Sequence, residues 1–536
     1  MRFQRSLLAA ALSTALALPM TLPFTQAEAA TPPNMLVIAN RIDDIVSLDP
    51  HELFEFAGTD YANNVYDTLV VFDPADLSSG YQPGLAESWS VSEDGKTFTF
   101  KMRSGISFHS GNPVTAKDAE YSLRRVVALE KTPSFILTQF GFNKENMAET
   151  IRATDDGTLV ITTDKKYAPS FVLNCFTAAV ASIVDSKTVQ EHEKDGDWGN
   201  EWLRTNSAGS GAYKLINWKP NESYSLQAAG NYWRGDVAMQ RVIVRHIAES
   251  SAQRLLLEKG DIDVARNLSP EDVAGLSSDE NVKVEDTLRG RIMYFSMNQK
   301  DPVLSKPKVV EALKYLVDYK GMEGSFLKGQ YTVHQAFLPL TYMGELKDQP
   351  YSFDVDKAKA LLAEAGEGDG FEVELIVRNA QERVEISQSL QNTFAQAGIT
   401  ATITQGTGKQ TLGKYRSRDF QIYVGLWGPD YPDPHTNADT FANNPDNSDE
   451  AQLTGKLAWR NAWDIPEMTK RTDAAVQETD AKVRAQMYVD IQKDFQKVAP
   501  FAPMFQQVQQ NAMRANVNGF NPGAAITAVF YWPVTK

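Results

Sequence analysis

Between residues 354 and 427 the chain alternates helical and strand periodicity, and few folds accept that alternation. Asp354 is placed to cap a helix whose apolar face is Ala358, Leu361, Leu362 and Ala365, with Gly366 ending it. Phe371, Val373, Leu375 and Val377 then recur at every second position, the spacing of a strand. A second helix carries Ile386, Leu390, Phe394 and Ala397 and stops at Gly398. Ile399, Ala401 and Ile403 predict the next strand, and residues 409–417 a short helical crossover. Phe420, Ile422, Val424 and Leu426 predict a third strand running into Trp427. Strand–helix–strand–helix–strand is the pattern of an open, parallel α/β sheet. Such sheets bind ligands beyond the carboxyl ends of their strands. Arg378 follows the first strand directly, and Trp427-Gly428-Pro429-Asp430-Tyr431 follows the third. A guanidinium, an indole and a carboxylate are therefore expected on one edge of one sheet.

Earlier segments carry the same kinds of signal. Phe98, Phe100 and Met102 share one face of a predicted strand. Thr115-x-x-Asp118 has the spacing of a capping box, followed by Ala119, Leu123, Val126 and Val127 at helical intervals. The first 29 residues read as an export signal. Arg2 and Arg5 give a positive start, Leu7 to Leu18 an apolar run, and Ala27-Glu28-Ala29 a small-x-small cleavage pattern before Ala30. The expected product is a soluble protein of the periplasm, and with no cysteine at the cleavage point no lipid anchor is expected. Its net charge moves from −15 to −16 as Arg2, Arg5 and Glu28 leave. Such an acidic body repels nucleic acid and anionic lipid. Cys175 is the single cysteine, so an intrachain disulfide is excluded, and it reads as a buried, inert thiol.

Motifs of catalysis are missing from the sequence. The six histidines, at 51, 109, 192, 246, 334 and 435, include no His-x-x-x-His pair. Gly95-Lys96-Thr97 has Ser90 where a phosphate loop needs its first glycine, and Gly209-Ser210-Gly211 lacks the spacing of a nucleophile elbow. No enzyme activity, metal site or cofactor is expected.

Ordered landmarks run along the chain: Leu48-Asp49-Pro50-His51, Val65-Tyr66-Asp67-Thr68-Leu69, and Leu85-Ala86-Glu87-Ser88-Trp89. They continue through Asp94-Gly95-Lys96-Thr97-Phe98, Arg103-Ser104-Gly105-Ile106-Ser107-Phe108-His109 and Thr115-Ala116-Lys117-Asp118. Later come Gly209-Ser210-Gly211-Ala212-Tyr213, Asn231-Tyr232-Trp233 and Gly260-Asp261-Ile262-Asp263. With them the chain resembles solute-binding protein family 5 of bacterial ABC importers, the dipeptide-, oligopeptide- and nickel-binding proteins. The resemblance implies a two-lobed periplasmic binding fold of class II (cluster C) with an extra domain, α/β throughout. It places domain I at 30–67, 210–290 and 505–536, domain II at 68–209, and domain III at 291–504. Crossings near 290 and 505 would form the hinge.

The resemblance also implies a function: capture of di- or oligopeptides and delivery to a permease pair in the inner membrane driven by cytoplasmic ATPases. No nucleic-acid partner and a monomeric state are expected. Asp430 matches the aspartate that holds a peptide's α-ammonium in relatives, and Arg378 the arginine that takes the α-carboxylate. Trp427 and Tyr431 would wall the pocket, and Gly58 and Thr59 match a loop of domain I that lines it. Gly406-Thr407-Gly408 stands where many relatives carry a tryptophan, which would leave room for a longer or bulkier ligand. An opine-like sugar conjugate, a nickel complex or haem are the alternative ligands, and an exported peptide hydrolase the alternative activity.

Overall fold

The computed structural model describes residues 31–73, 76–521, 523 and 529–536, so the expected export signal lies outside the described residues. Among the described residues eleven strands build one mixed sheet. In chain order they are β1 (Met35–Asn40), β2 (Tyr213–Lys219), β3 (Ser223–Ala228), β4 (Arg241–His246), β5 (Val264–Ala265) and β6 (Val282–Met297). Then follow β7 (Tyr331–Val333), β8 (Glu372–Arg378), β9 (Thr400–Gly406), β10 (Ile422–Trp427) and β11 (Phe501–Arg514). Their order in space is β9-β8-β10-β6-β11-β5-β1-β4-β3-β2, with β7 on β11 off that path.

The expected α/β unit is present. β9, β8 and β10 are parallel, joined by helices Gln381–Gln396 and Gly408–Arg416. Asp354 caps helix Val355–Glu364 by accepting from the Lys357 N–H at 2.9 Å. Because side chains alternate across a strand, β8 sends Leu375 and Val377 into one core and Ile376 into another, and β10 does the same with Val424 and Tyr423. Strands buried on both faces explain the nearly continuous apolar run here. Phe420 departs from expectation: it precedes β10 and packs edge-on against Tyr415, in the core opposite to that of Ile422.

Two long antiparallel strands join this unit to the rest. Val282 to Leu288 of β6 pairs with Val508 to Arg514 of β11, and β11 there pairs with β5 of the N-terminal lobe. Ile292 to Met297 pairs with β10 and with Phe501 to Gln506, in the C-terminal lobe. Between these stretches the register slips, so that residues 289–291 stand opposite Gln507 alone. A bulge of this kind bends the strand and re-aims its side chains. It sits where the two lobes meet.

The sequence landmarks turn out to be buried polar joints. Asp49 takes a two-pronged ion pair from Arg125, at 2.8 and 2.6 Å, with both side chains fully inaccessible. His51 fits the same joint as a neutral ring, its pKa pushed down to about 4 by burial and by the Arg125 charge. Asp67 collects Ser210 Oγ at 2.9 Å, Trp233 Nε1 at 3.2 Å and the Tyr232 hydroxyl at 3.3 Å, tying three separate motifs together. Gly209 and Gly211 are glycine because a Cβ there would strike the Val65 carbonyl group, 1.9 Å from its oxygen and 2.6 Å from its carbon respectively. The Gly-Ser-Gly is thus a close packing contact. Asp263 accepts the Val37 N–H at 2.7 Å and pairs with Lys536 at 2.7 Å.

Around a separate four-stranded antiparallel sheet, Phe98 and Phe100 are fully buried in one core with Ala119, Leu123, Val126 and Val127 of helix Ala116–Leu129, whose capping box at Thr115 and Asp118 forms as expected. Cys175 lies buried in the same core, and burial raises its pKa well above the usual thiol range.

Removing one partner of a buried pair leaves the other charge desolvated and alone. Arg125→Ala is therefore expected to lower unfolding free energy by about 3–5 kcal/mol. Lys470→Ala, which breaks an exposed pair with Glu467, should cost under about 1 kcal/mol. Denaturant titration of the two variants checks the contrast, and equal losses would refute it.

Candidate ligand site

The carboxyl ends of β8 and β10 face the junction of the lobes, and the loop after β10 carries two aspartates with opposite fates. Asp433 caps helix Pro434–Phe441 through the His435 N–H at 2.9 Å, with proline at the first helical position. It also binds Arg484 at 2.7 and 2.9 Å, both side chains being fully buried, and accepts Asn174 Nδ2 at 2.9 Å. Arg484 reaches on to Ser170 Oγ at 2.9 Å, and the Ala168 N–H bonds the Val476 carbonyl at 2.8 Å. Helix Pro169–Cys175 belongs to the core around the four-stranded sheet, so these bonds fasten that core to the C-terminal lobe. Asp433 is a structural acid.

Asp430 has no such partner. It forms no ion pair with any described residue; its own N–H donates to Thr436 Oγ1 at 3.2 Å, and the Thr436 hydroxyl is the group that steadies its carboxylate. Burial pushes its pKa from the ordinary 3.8 to about 7. A carboxylate this desolvated gains most from a cation supplied from outside. Beside it, Pro429 packs on β6: a Cβ at Gly290 would stand 3.1 Å from Pro429 and 3.3 Å from the Tyr342 hydroxyl. That hydroxyl is buried with no hydrogen-bond partner among the described residues, as is the indole N–H of Trp427. The loop after β10 and its surroundings thus carry an acid without an ion pair and two polar groups without a hydrogen-bond partner among the described residues.

The other sequence-derived candidates fare differently. Trp427 ends β10 half-buried, opposite Ile292 of β6, with its ring edge-on to Phe441. Arg378 ends β8 as expected but is exposed, makes no ion pair among the described residues, and lies along Gly408, where a Cβ would come within 3.2 Å of the guanidinium. Gly406-Thr407-Gly408 thus leaves Arg378 the room it occupies, while Thr407 caps the next helix. Tyr431 is not an open wall. It is buried against Phe171, ring centres 5.8 Å apart, and serves the contact between the two cores. Gly58 and Thr59 are in the first turn of helix Phe56–Val65 instead of a loop, and both are buried, Thr59 bonding back to the Glu55 carbonyl at 3.0 Å. The residue of that turn which meets the junction is Phe56, exposed, with Arg291 of β6 3.8 Å above its ring. Sequence reading missed Phe56, Gly290 and Arg291. Only Arg289-Gly290-Arg291, a glycine between two charges inside a strand, hinted at a bulge.

The two lobes and the junction between them define a two-lobed ligand-binding protein. The chain belongs to the bacterial extracellular solute-binding proteins, family 5, whose middle region matches residues 80–449. It is 28% identical over 520 residues to the probable D,D-dipeptide-binding periplasmic protein DdpA of Escherichia coli K12, covering 96% of this chain and 97% of that one. The dipeptide-binding protein of the same organism is 25% identical over 484 residues, 87% of this chain and 88% of the relative. Among solved structures, the fold superposes on HbpA2 of Haemophilus parasuis with a TM-score of 0.78 at 22% identity, covering 94% of this chain and 99% of that one. Helicobacter pylori DppA in complex with the peptide STSA gives 0.76 at 23% identity, covering 94% and 98%.

A carboxyl group whose pKa is higher folded than unfolded holds its stabilising share only below the unfolded value, near 4. It loses that share as pH rises through about 7. Asp430→Asn removes the loss. The variant is expected to melt at the wild-type temperature at pH 4 and above it at pH 8 in the absence of ligand. A melting difference that stays constant across that range would show the carboxylate is not desolvated.

Proposed function

We propose that the protein is the periplasmic binding component of an ABC importer, that it captures short peptides between its lobes, and that it delivers them to a membrane permease without chemical change. Asp430 is the observation that carries this reading: a desolvated carboxylate with no ion pair among the described residues, placed beyond the carboxyl end of β10, suits the α-ammonium of a peptide. Arg378, at the end of the neighbouring parallel strand, is the candidate for the α-carboxylate, since a guanidinium donates two parallel hydrogen bonds to such a group. Trp427 offers an apolar face and an N–H without a partner among the described residues. Relatives whose names specify dipeptides, and a di/tripeptide-binding protein of Pseudomonas aeruginosa at 24% identity over 490 residues, point the same way.

Closure follows from the geometry of the junction. A ligand that touches both lobes stabilises only the state in which they are close, and so shifts the population toward it. The two crossing strands, with their bulge at 289–291, are the natural place for the bend. The permease would then recognise the closed outline.

A thermal-shift screen over di- to pentapeptides tests the reading. A ligand at 100 times its Kd adds about 2.7 kcal/mol of stability, and a panel without any shift would reject a peptide ligand. Asp430→Ala should weaken N-terminally free peptides by about 2–5 kcal/mol, the usual loss for a desolvated charge pair, and leave N-acetylated ones unchanged. Equal effects on both would remove the ammonium from Asp430. Mass spectrometry of the incubated peptides should return them intact.

A further inference from the structure

The lobe junction holds more positive charge than a simple dipeptide can neutralise. Arg266 is spent on Asp60, a buried ion pair within the N-terminal lobe. Arg291 is not spent. It rises from the bulge of β6 with its guanidinium stacked 3.8 Å above Phe56, and Nη1 donates to Gln507 Oε1 at 3.2 Å. Its Nε is buried without a hydrogen-bond partner, and no carboxylate lies within salt-bridge distance among the described residues. Arg383, at the start of helix Gln381–Gln396, is near enough for its charge to act on Arg291. Its Nε is also buried and unmet, and its one acidic neighbour, Glu382, stands 3.8 Å away. Burial holds the Arg291 pKa down to about 10, with the Arg266 and Arg383 charges adding to the effect against Tyr331 and Asp60.

Position ties this cluster to the ligand. Gly290, the residue before Arg291, is the one on which Pro429 packs, and Asp430 follows Pro429 directly. A guest anchored at Asp430 therefore extends past Arg291. We propose that Arg291 and Arg383 form a second anionic subsite, which takes a carboxylate of the ligand other than the one assigned to Arg378, so that the preferred ligand is an acidic peptide. Charge balance supports this: Asp430 and Arg291 have no ion pair among the described residues and Arg383 has only Glu382 at 3.8 Å, so that together with Arg378 they suit a guest with one ammonium and more than one carboxylate. The stacking on Phe56 also makes the subsite complete only when the N-terminal lobe is near, since Arg291 leaves the strand that both lobes share.

The inference rests on the peptide reading, and one experiment separates the two. Isothermal titration would compare Ala-Glu, Glu-Ala and Ala-Ala-Glu with their glutamine counterparts, and with Ala-Ala and Ala-Ala-Ala. At least one glutamate peptide should bind about 10–100-fold tighter than its glutamine twin, the range of a charged hydrogen-bonded contact. Arg291→Gln and, separately, Arg383→Gln should abolish that preference while leaving the affinity of the alanine peptides within about twofold. Two positions guard against one variant that fails to fold. Tight binding of glutamate and glutamine peptides alike would overturn the subsite and leave the peptide reading standing. Preference for glutamate that survives both substitutions would overturn the assignment to these residues. No binding by any member of the panel, with Asp430→Ala no different from wild type, would overturn both.

Discussion

The antiparallel pairing of β6 with β11 is the constraint on which the rest of the structure depends. Every other strand of the main sheet belongs to one lobe, whereas these two begin in one and end in the other. A two-strand connection resists shear through its ladder of backbone hydrogen bonds, yet it bends where the ladder is interrupted. The interruption is local: three residues, 289–291, oppose Gln507 alone. The same irregularity lets Gly290 sit against Pro429, and it aims Arg291 at Phe56 across the junction. The interruption of the ladder and the contacts of Gly290 and Arg291 at the junction are thus properties of one short segment.

Buried polar pairs do a second kind of work. Asp49–Arg125 and Asp433–Arg484 are both bidentate and inaccessible. Such pairs add little net stability compared with apolar packing, but their geometry leaves few alternative arrangements. The first sets how the N-terminal segment meets helix Ala116–Leu129. The second sets how the loop after β10 meets helix Pro169–Cys175. Asp433, held by Arg484, thus lies three residues after Asp430, which has the Thr436 hydroxyl but no ion pair among the described residues. Two aspartates three positions apart in one loop therefore differ: Asp433 is paired and structural, and Asp430 has no ion pair among the described residues.

Much of the fold was legible in the chain because it rests on local periodicity. The unit from Asp354 to Trp427 could be written down residue by residue, since helix spacing, strand alternation and terminal glycines agree with one another there. The site was legible in part. Asp430 and Trp427 follow a strand of known direction, and their edge of the sheet is set by parallel order. Arg378 was placed on the right edge, but its exposure depends on Gly408, a neighbour from another element. Gly58 and Thr59 were expected in a loop, and the helix beginning at Phe56 takes them, with Gly58 packed near Leu53 and Thr59 buried and bonded back to the Glu55 carbonyl.

What the sequence determined by itself, then, is the order of strands and helices, the absence of an intrachain disulfide, and which charged residues stand at fixed landmarks. Each depends on residues close in the chain or on composition alone. Tertiary structure decided which charges are paired. Asp433 finds Arg484 across 51 residues and Asn174 across 259, while Asp430, three positions away, finds no cation among the described residues. It also decided that Tyr431 serves the contact between cores and Phe56 the cleft. Pairing and exposure arise from which distant surfaces come together, and no local pattern records that.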